Sequence, residues 1–217
     1  MNRRDFNARL AAAGAFGALG TTLGGLAQAQ AEPAEGREYT RIKEPVPVAV
    51  PGKVEVIEFF GYWCPHCAAL EPTLEAWARK LPADVNFRRL PVAFSAPQES
   101  YQKLYFALEA MGQVAAMHGK VFTAMHGARQ RLDKDAEITA LAAASGVDGA
   151  KLLDTMKSFT VATKASQARQ LSQTYRIEGV PTLIVHGRYM TSVGMAGTAD
   201  RALQVVDALI QRSRASR

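Results

Sequence analysis

Cysteine is nearly absent from this sequence: its 217 residues contain two, Cys64 and Cys67. That excludes a scaffold stapled by several disulfides, and with 48% apolar residues the chain can bury a core without them. Histidine is scarce as well, at four. No second Cys-x-x-Cys and no His-x-x-x-His accompanies the pair, so a four-ligand structural zinc site lacks its ligands. Neither a metal nor a cofactor is expected, and the two cysteines have to be explained by chemistry of their own.

Strong charge of one sign is also lacking. The net charge is +6, and residues 1–31 hold Arg3, Arg4 and Arg9 against Asp5, so losing that segment lowers it to +4. Basic residues such as Arg88, Arg89, Arg129 and Arg131 form no stripe interleaved with exposed aromatics. Nucleic acid is not an expected partner. The one long apolar stretch, from about Leu10 to Leu26, is broken by Gly14, Gly17, Gly20, Gly24 and Gly25 and would make a poor membrane-spanning helix.

What the N-terminus does contain reads as an export signal. Asn2-Arg3-Arg4-Asp5-Phe6 is a basic start, the weakly apolar stretch follows, and small residues at Ala27, Ala29 and Ala31 fit cleavage after Ala29 or Ala31. Residues 1–31 are therefore expected to be removed. Arg3-Arg4-Asp5-Phe6 also resembles a twin-arginine signal, the alternative being an ordinary secretory signal with two adjacent arginines. Either route leads to an oxidising compartment in which a cysteine pair can cycle through its disulfide.

Residues 32–52 are polar and then proline-rich, and read as a lead-in with one short strand near Tyr39 to Ile42. The folded core starts near Lys53. Val54 to Phe60 is a short, mostly apolar run of strand-forming residues, whose continuity suggests a strand buried on both faces. From Cys64, Leu70, Leu74, Trp77, Ala78 and Leu81 recur at helical spacing up to Pro82, with Pro72 expected to bend the helix rather than end it. Val85 to Val92 reads as a second strand.

Residues 97–175 offer no strand and several helices in succession. Tyr101 to Met111 forms the first, closed at Met111-Gly112; Val114 to Met125 forms another; Asp135 is placed to cap Ala136 to Ala144, which Gly146 stops. After them, Thr182 to His186 and Tyr189 to Val193 flank Gly187-Arg188 as a hairpin. A last helix is expected from about Asp200 to Ile210, with Gln211 to Arg217 frayed. The order gives an α/β domain, residues 53–96 and 176–217, carrying an all-helical insertion, residues 97–175.

A Cys-x-x-Cys where a strand meets a helix places the first sulfur at the helix N-terminus, among unpaired N–H groups and at the positive end of the dipole. A thiolate is stabilised there. Cys64 is thus the expected exposed nucleophile, and Cys67, one turn further in, the shielded resolving thiol. His66 between them adds hydrogen bonding and, when protonated, positive charge, while Pro65 stiffens the loop. A thiolate of lowered pKa is a better leaving group, which favours the reduced pair and makes the disulfide the stronger oxidant. The competing account is a passive disulfide or half of a metal site.

Gly179-Val180-Pro181-Thr182 leads into the hairpin. A proline opening a strand is ordinary; with a cis bond, Val180 would turn its backbone toward the sulfurs and offer N–H and C=O to an extended peptide.

Phe59-Phe60-Gly61-Tyr62-Trp63-Cys64-Pro65-His66-Cys67, the helical insertion and Gly179-Val180-Pro181 together resemble the DsbA family of periplasmic dithiol oxidases, over the chain from about residue 38. The resemblance implies a thioredoxin-like fold with an all-helical insertion domain, Cys64 as nucleophile, His66 as its modulator and a cis Pro181. It further implies a periplasmic, monomeric oxidase that donates the Cys64–Cys67 disulfide to reduced exported proteins. A DsbB-type, quinone-linked membrane oxidase would reoxidise it. Glu58, by the same resemblance, lies beneath the cysteines as a proton-handling acid with Arg89 as partner, the alternative being an exposed glutamate at a sheet edge. Pro72 departs from the family and matches instead the helix proline of thioredoxin itself.

A disulfide reductase or isomerase of the same fold is the rival reading within redox chemistry, although residues 32–52 are too short for the dimerisation domain that isomerases usually carry. A chaperone or binding module with a passive disulfide is the rival outside it. Met117-His118 and Met125-His126 could offer soft ligands to copper, but methionines at such spacing ordinarily fill a core.

Overall fold

The computed structural model describes residues 32–215; the export signal expected over residues 1–31 lies outside them. Among the described residues no helix is long and apolar enough to cross a membrane.

The sheet is built around β2, Val54–Phe60, in which all seven residues are buried. Five of its seven residues are apolar, the exceptions being the buried Glu55 and Glu58, so it can be covered on both faces. It pairs in parallel with β3, Val85–Pro91, and antiparallel with β4, Thr182–Val185. β4 continues through β5, Tyr189–Thr191, to the short β1, Thr40–Arg41, giving the order β1-β5-β4-β2-β3.

Alternation along β2 divides the core in two. Val54 and Val56 face α1, Pro65–Ala78, and α8, Ala199–Ala215, where they meet Leu70, Leu74, Val205 and Leu209. Ile57 and Phe59 face the other way, into a larger cluster with Leu104, Leu108, Val161 and Tyr175. Each such side chain, fully buried, contributes roughly 1.5–3 kcal/mol in transfer from water. The second cluster belongs to the helices α2, Glu99–Ala110; α3, Val114–Phe122; α4, Asp135–Ala144; α5, Gly149–Met156; and α6, Phe159–Thr174.

Several element boundaries differ from the sequence expectation, each for a local reason. α1 continues through Pro72 but ends at Ala78, and i→i−3 turns carry the chain on to Leu81. Pro82 holds the residue before it out of the helical region. After α3 the helix widens into a π turn over Thr123–Gly127. Lys134, not Asp135, is the N-cap of α4, and Asp135 sits inside the first turn, where a carboxylate still complements the dipole.

The hairpin turns on His186 and Gly187 rather than on Gly187-Arg188. Both have positive φ, 51° and 64°, and Arg188 N–H donates to Val185 C=O at 3.0 Å. Gly187 is required twice over, because a Cβ there would lie 1.9 Å from the carbonyl oxygen of Val46. Val193 is not part of β5: Ser192 accepts from the Met195 N–H and caps a four-residue helix, α7, Val193–Ala196.

The C-terminal tail is not frayed from Gln211. α8 continues to Ala215 because its last turns have partners: Arg212 donates to the Tyr39 hydroxyl, Ser213 is buried, and Arg214 holds Asp84 at 2.7 Å.

Candidate active site

β2 ends at Gly61, and the corner that follows is one turn, closed by Cys64 N–H donating to Gly61 C=O at 3.0 Å. A Cβ on Gly61 would strike the Trp63 indole at 2.4 Å, so the ring lies flat over the corner only because residue 61 is glycine. Cys64 has extended backbone angles (φ −90°, ψ 117°) and is the N-cap of α1, with Pro65 at its first position, where a missing N–H costs nothing. The Cys64 sulfur accepts from the Cys67 N–H at 3.4 Å.

Both cysteines are reduced. Cys64 is more enclosed than its sequence position suggests, at 3% exposure, while Pro65 and His66 beside it are exposed. The cover comes from across the molecule: the Val180 carbonyl oxygen is 3.3 Å from the Cys64 sulfur, and the Val180–Pro181 bond is cis.

The Cys64 thiol is drawn down to about 6. Its chief cause is the hydrogen bond from the Cys67 thiol, with the Cys67 and His66 N–H groups and the charge of His66 adding to it, against a penalty from burial. Cys67, fully buried, is pushed strongly upward, first by desolvation, then by its hydrogen bond to Cys64 and by the charge of Glu58. Of the two sulfurs, Cys64 is therefore the one whose thiolate the surroundings favour.

Glu58 and Arg89 are neighbours across β2 and β3. Glu58 is 1% exposed, and desolvation pushes its carboxyl up to about 8 in spite of the Arg89 guanidinium. Their closest approach, 3.3 Å, is an ion-pair distance without hydrogen-bond alignment. Arg89 instead directs its aligned hydrogen bonds at Glu71 and Glu75, at 2.8 and 2.9 Å. Glu71 in turn faces His118 Nε2 at 3.2 Å, and His118 Nδ1 lies 2.8 Å from the Tyr62 hydroxyl. Glu58 is thus not an edge glutamate but one end of a buried polar chain.

Glu71, Glu75, His118 and Tyr62 were not singled out for this role in the sequence. The carboxylates had a readable signal: Cys67, Glu71 and Glu75 recur every four residues and so share one helix face. His118 is 4% exposed and packs edge-on against Phe60 and Phe122. Among the described residues no cluster of metal-ligating side chains occurs.

On the far side of Cys64, the cis-proline loop and α1 enclose a cleft of about 670 Å³, lined by His66, Leu70, Val180, Pro181, Met190 and Val193. Trp63, beside Cys64 in sequence, meets Phe94, which is 47% exposed.

The family model for the DSBA-like thioredoxin domain matches residues 55–209. The chain belongs to that family. Among its relatives, the thiol:disulfide interchange protein DsbA of Bordetella pertussis is 46% identical over 208 residues, covering 95% of this chain and 96% of that protein. The protein of the same name from Pseudomonas syringae pv. tomato is 42% identical over 199 residues, 91% of this chain and 93% of the other. The crystal structure of Pseudomonas aeruginosa DsbA superposes with a TM-score of 0.81 at 40% identity, covering 85% of this chain and 96% of that one. The DsbA family's thioredoxin-like fold is therefore this chain's fold, as the motif around Cys64 implied.

Proposed function

We propose that this DsbA-family chain is a thiol-disulfide oxidoreductase working in the direction of oxidation, with Cys64 as its nucleophilic cysteine and Cys67 as the resolving one. A single observation carries the reading: Cys64 is the N-cap of α1, its sulfur accepting the Cys67 N–H and lying 3.3 Å from the carbonyl oxygen before a cis proline, while Cys67 is wholly buried. A stabilised Cys64 thiolate is a good leaving group, so the reduced pair is favoured and the disulfide is readily given away.

In the oxidised form a substrate thiolate attacks Cys64 Sγ, the Cys64–Cys67 bond breaks, and Cys67 leaves as a thiolate. A second substrate thiolate then attacks the substrate's own sulfur in the mixed disulfide and expels the Cys64 thiolate. The substrate gains a disulfide and the pair gains two electrons. Glu58, protonated below about 8, is suited to give its proton to the departing Cys67 thiolate, and the carboxylate left behind is then held by Arg89.

His66 tunes Cys64 through its N–H and its charge, and Pro65 fixes the start of α1. Val180 and Pro181 form the edge against which an extended substrate segment lies, with the adjoining cleft taking its apolar side chains. Reduced exported proteins in the periplasm are the substrates, a quinone-linked membrane oxidase of the DsbB type regenerates the disulfide, and the chain acts as a monomer.

Oxidation of a reduced, unfolded protein in glutathione buffer tests this. The wild-type chain should accelerate disulfide formation and Cys64→Ser should not. Equal rates with the two proteins would leave a binding module as the better account.

A further inference from the structure

His118 and His126 stand out in the sequence and have no part in the exchange chemistry, yet both hold the same residue. Tyr62, two positions before Cys64, forms the corner between β2 and α1 and is 1% exposed. His118 Nδ1 lies 2.8 Å from its hydroxyl, and His126 Nε2 lies 2.7 Å from its backbone oxygen. His118 Nε2 lies 3.2 Å from a Glu71 carboxylate oxygen, an ion-pair distance without hydrogen-bond alignment, and in the tautomer that carries its hydrogen on Nε2, Nδ1 accepts from the Tyr62 hydroxyl. A carbonyl can only accept, so His126 Nε2 donates.

Two features make this grip specific. In a plain α-helix, residues eight positions apart point about 80° away from one another. The π turn at Thr123–Gly127 winds more slowly and brings His126 round toward the side His118 occupies. The Tyr62 ring is also packed edge-on against Phe60 and Phe122, with centroids 5.3 and 5.1 Å away.

What the grip fixes is the one-turn corner Gly61–Cys64, of which Tyr62 and Trp63 are the central residues. The seat of the Cys64 sulfur on the first turn of α1, where it accepts the Cys67 N–H, depends on the corner's geometry. We propose that His118 and His126 are positioning residues for Cys64, acting through Tyr62 to lock the corner that seats its sulfur. The helical insertion thereby takes part in setting the thiol's reactivity. The proposal rests on Cys64 being the nucleophile.

The test compares thiolate absorbance titrations of the reduced wild type, His126→Ala, His126→Gln and Tyr62→Phe, alongside each protein's equilibrium with glutathione. His126→Ala and Tyr62→Phe should raise the Cys64 midpoint by about half a unit or more, roughly threefold in the thiolate-to-thiol ratio. Their glutathione equilibria should move by a similar factor toward the disulfide. His126→Gln, which keeps a donor, should stay within about twofold of wild type. Folded His126→Ala and Tyr62→Phe proteins that titrate like the wild type would overturn the proposal. If His126→Ala fails to fold, Tyr62→Phe decides alone, since it removes one hydroxyl and leaves the packing. A wild-type midpoint near that of free cysteine would instead overturn the assignment of Cys64 itself.

Discussion

The sulfur of Cys64 lies 3.3 Å from the carbonyl oxygen of Val180, 116 residues along the chain. This contact is available to the thiol and denied to the thiolate, because a carbonyl oxygen can only accept and a thiolate has no hydrogen to offer. The state stabilised by the first turn of α1 is therefore the one that leaves the Val180 carbonyl unpaired and free for an incoming backbone N–H.

That balance has a signature in stability. The surroundings of Cys64 in the folded chain draw its thiol down to about 6, from the ordinary 9.0. A lowered folded pKa gives stability that is present above the unfolded value and lost as pH falls through the folded one. Cys67 is shifted the other way and works against this only once unfolded thiols begin to ionise. The stability of the reduced wild type relative to Cys64→Ala should rise between about pH 6 and pH 9, by on the order of 1–3 kcal/mol after allowance for solvent screening. Urea denaturation at several pH values measures it, and a flat difference would contradict the assignment.

Glu58 predicts the opposite slope. Its folded value of about 8 lies above the ordinary 4.5, so its contribution is complete below about 4.5 and lost as pH rises toward 8. Glu58→Gln keeps the shape without the titration. Its stability advantage over wild type should widen across that window by more than about 1 kcal/mol, and parallel pH profiles would show that Glu58 is not the buried acid.

Arg89 holds three carboxylates while its side chain is only 10% exposed. Arg89→Met preserves bulk but strands Glu71, and Glu58 whenever it is ionised, inside the protein. Unfolding free energy should drop by roughly 3–5 kcal/mol at neutral pH. The loss should shrink in mild acid as the carboxyls take up protons. A uniform loss at all pH values would point to packing rather than charge.

Much of this was readable before the fold. Val54 to Phe60 is apolar enough to announce a strand covered on both faces, and its end fixes where a helix can begin, so Cys64 falls at an N-cap by local rules alone. Glu58 and Arg89 could be matched through the resemblance to the family, Arg89 lying on the neighbouring strand. What stayed hidden depends on distant parts of the chain. The enclosure of Cys64 comes from Val180, the order of the C-terminal turns from Tyr39 and Asp84, and the role of His118 and His126 from a residue in the redox corner. The π turn also breaks the helical period on which any reading of His126's direction relied.

The most direct test of the whole account is the reduction potential of the Cys64/Cys67 couple, measured by equilibration with glutathione at pH 7. A Cys64 thiolate favoured over Cys67 and supported by the first turn of α1 predicts a strongly oxidising couple, well above the roughly −270 mV of thioredoxin. A value at or below thioredoxin's would contradict it and mark the chain as a reductase.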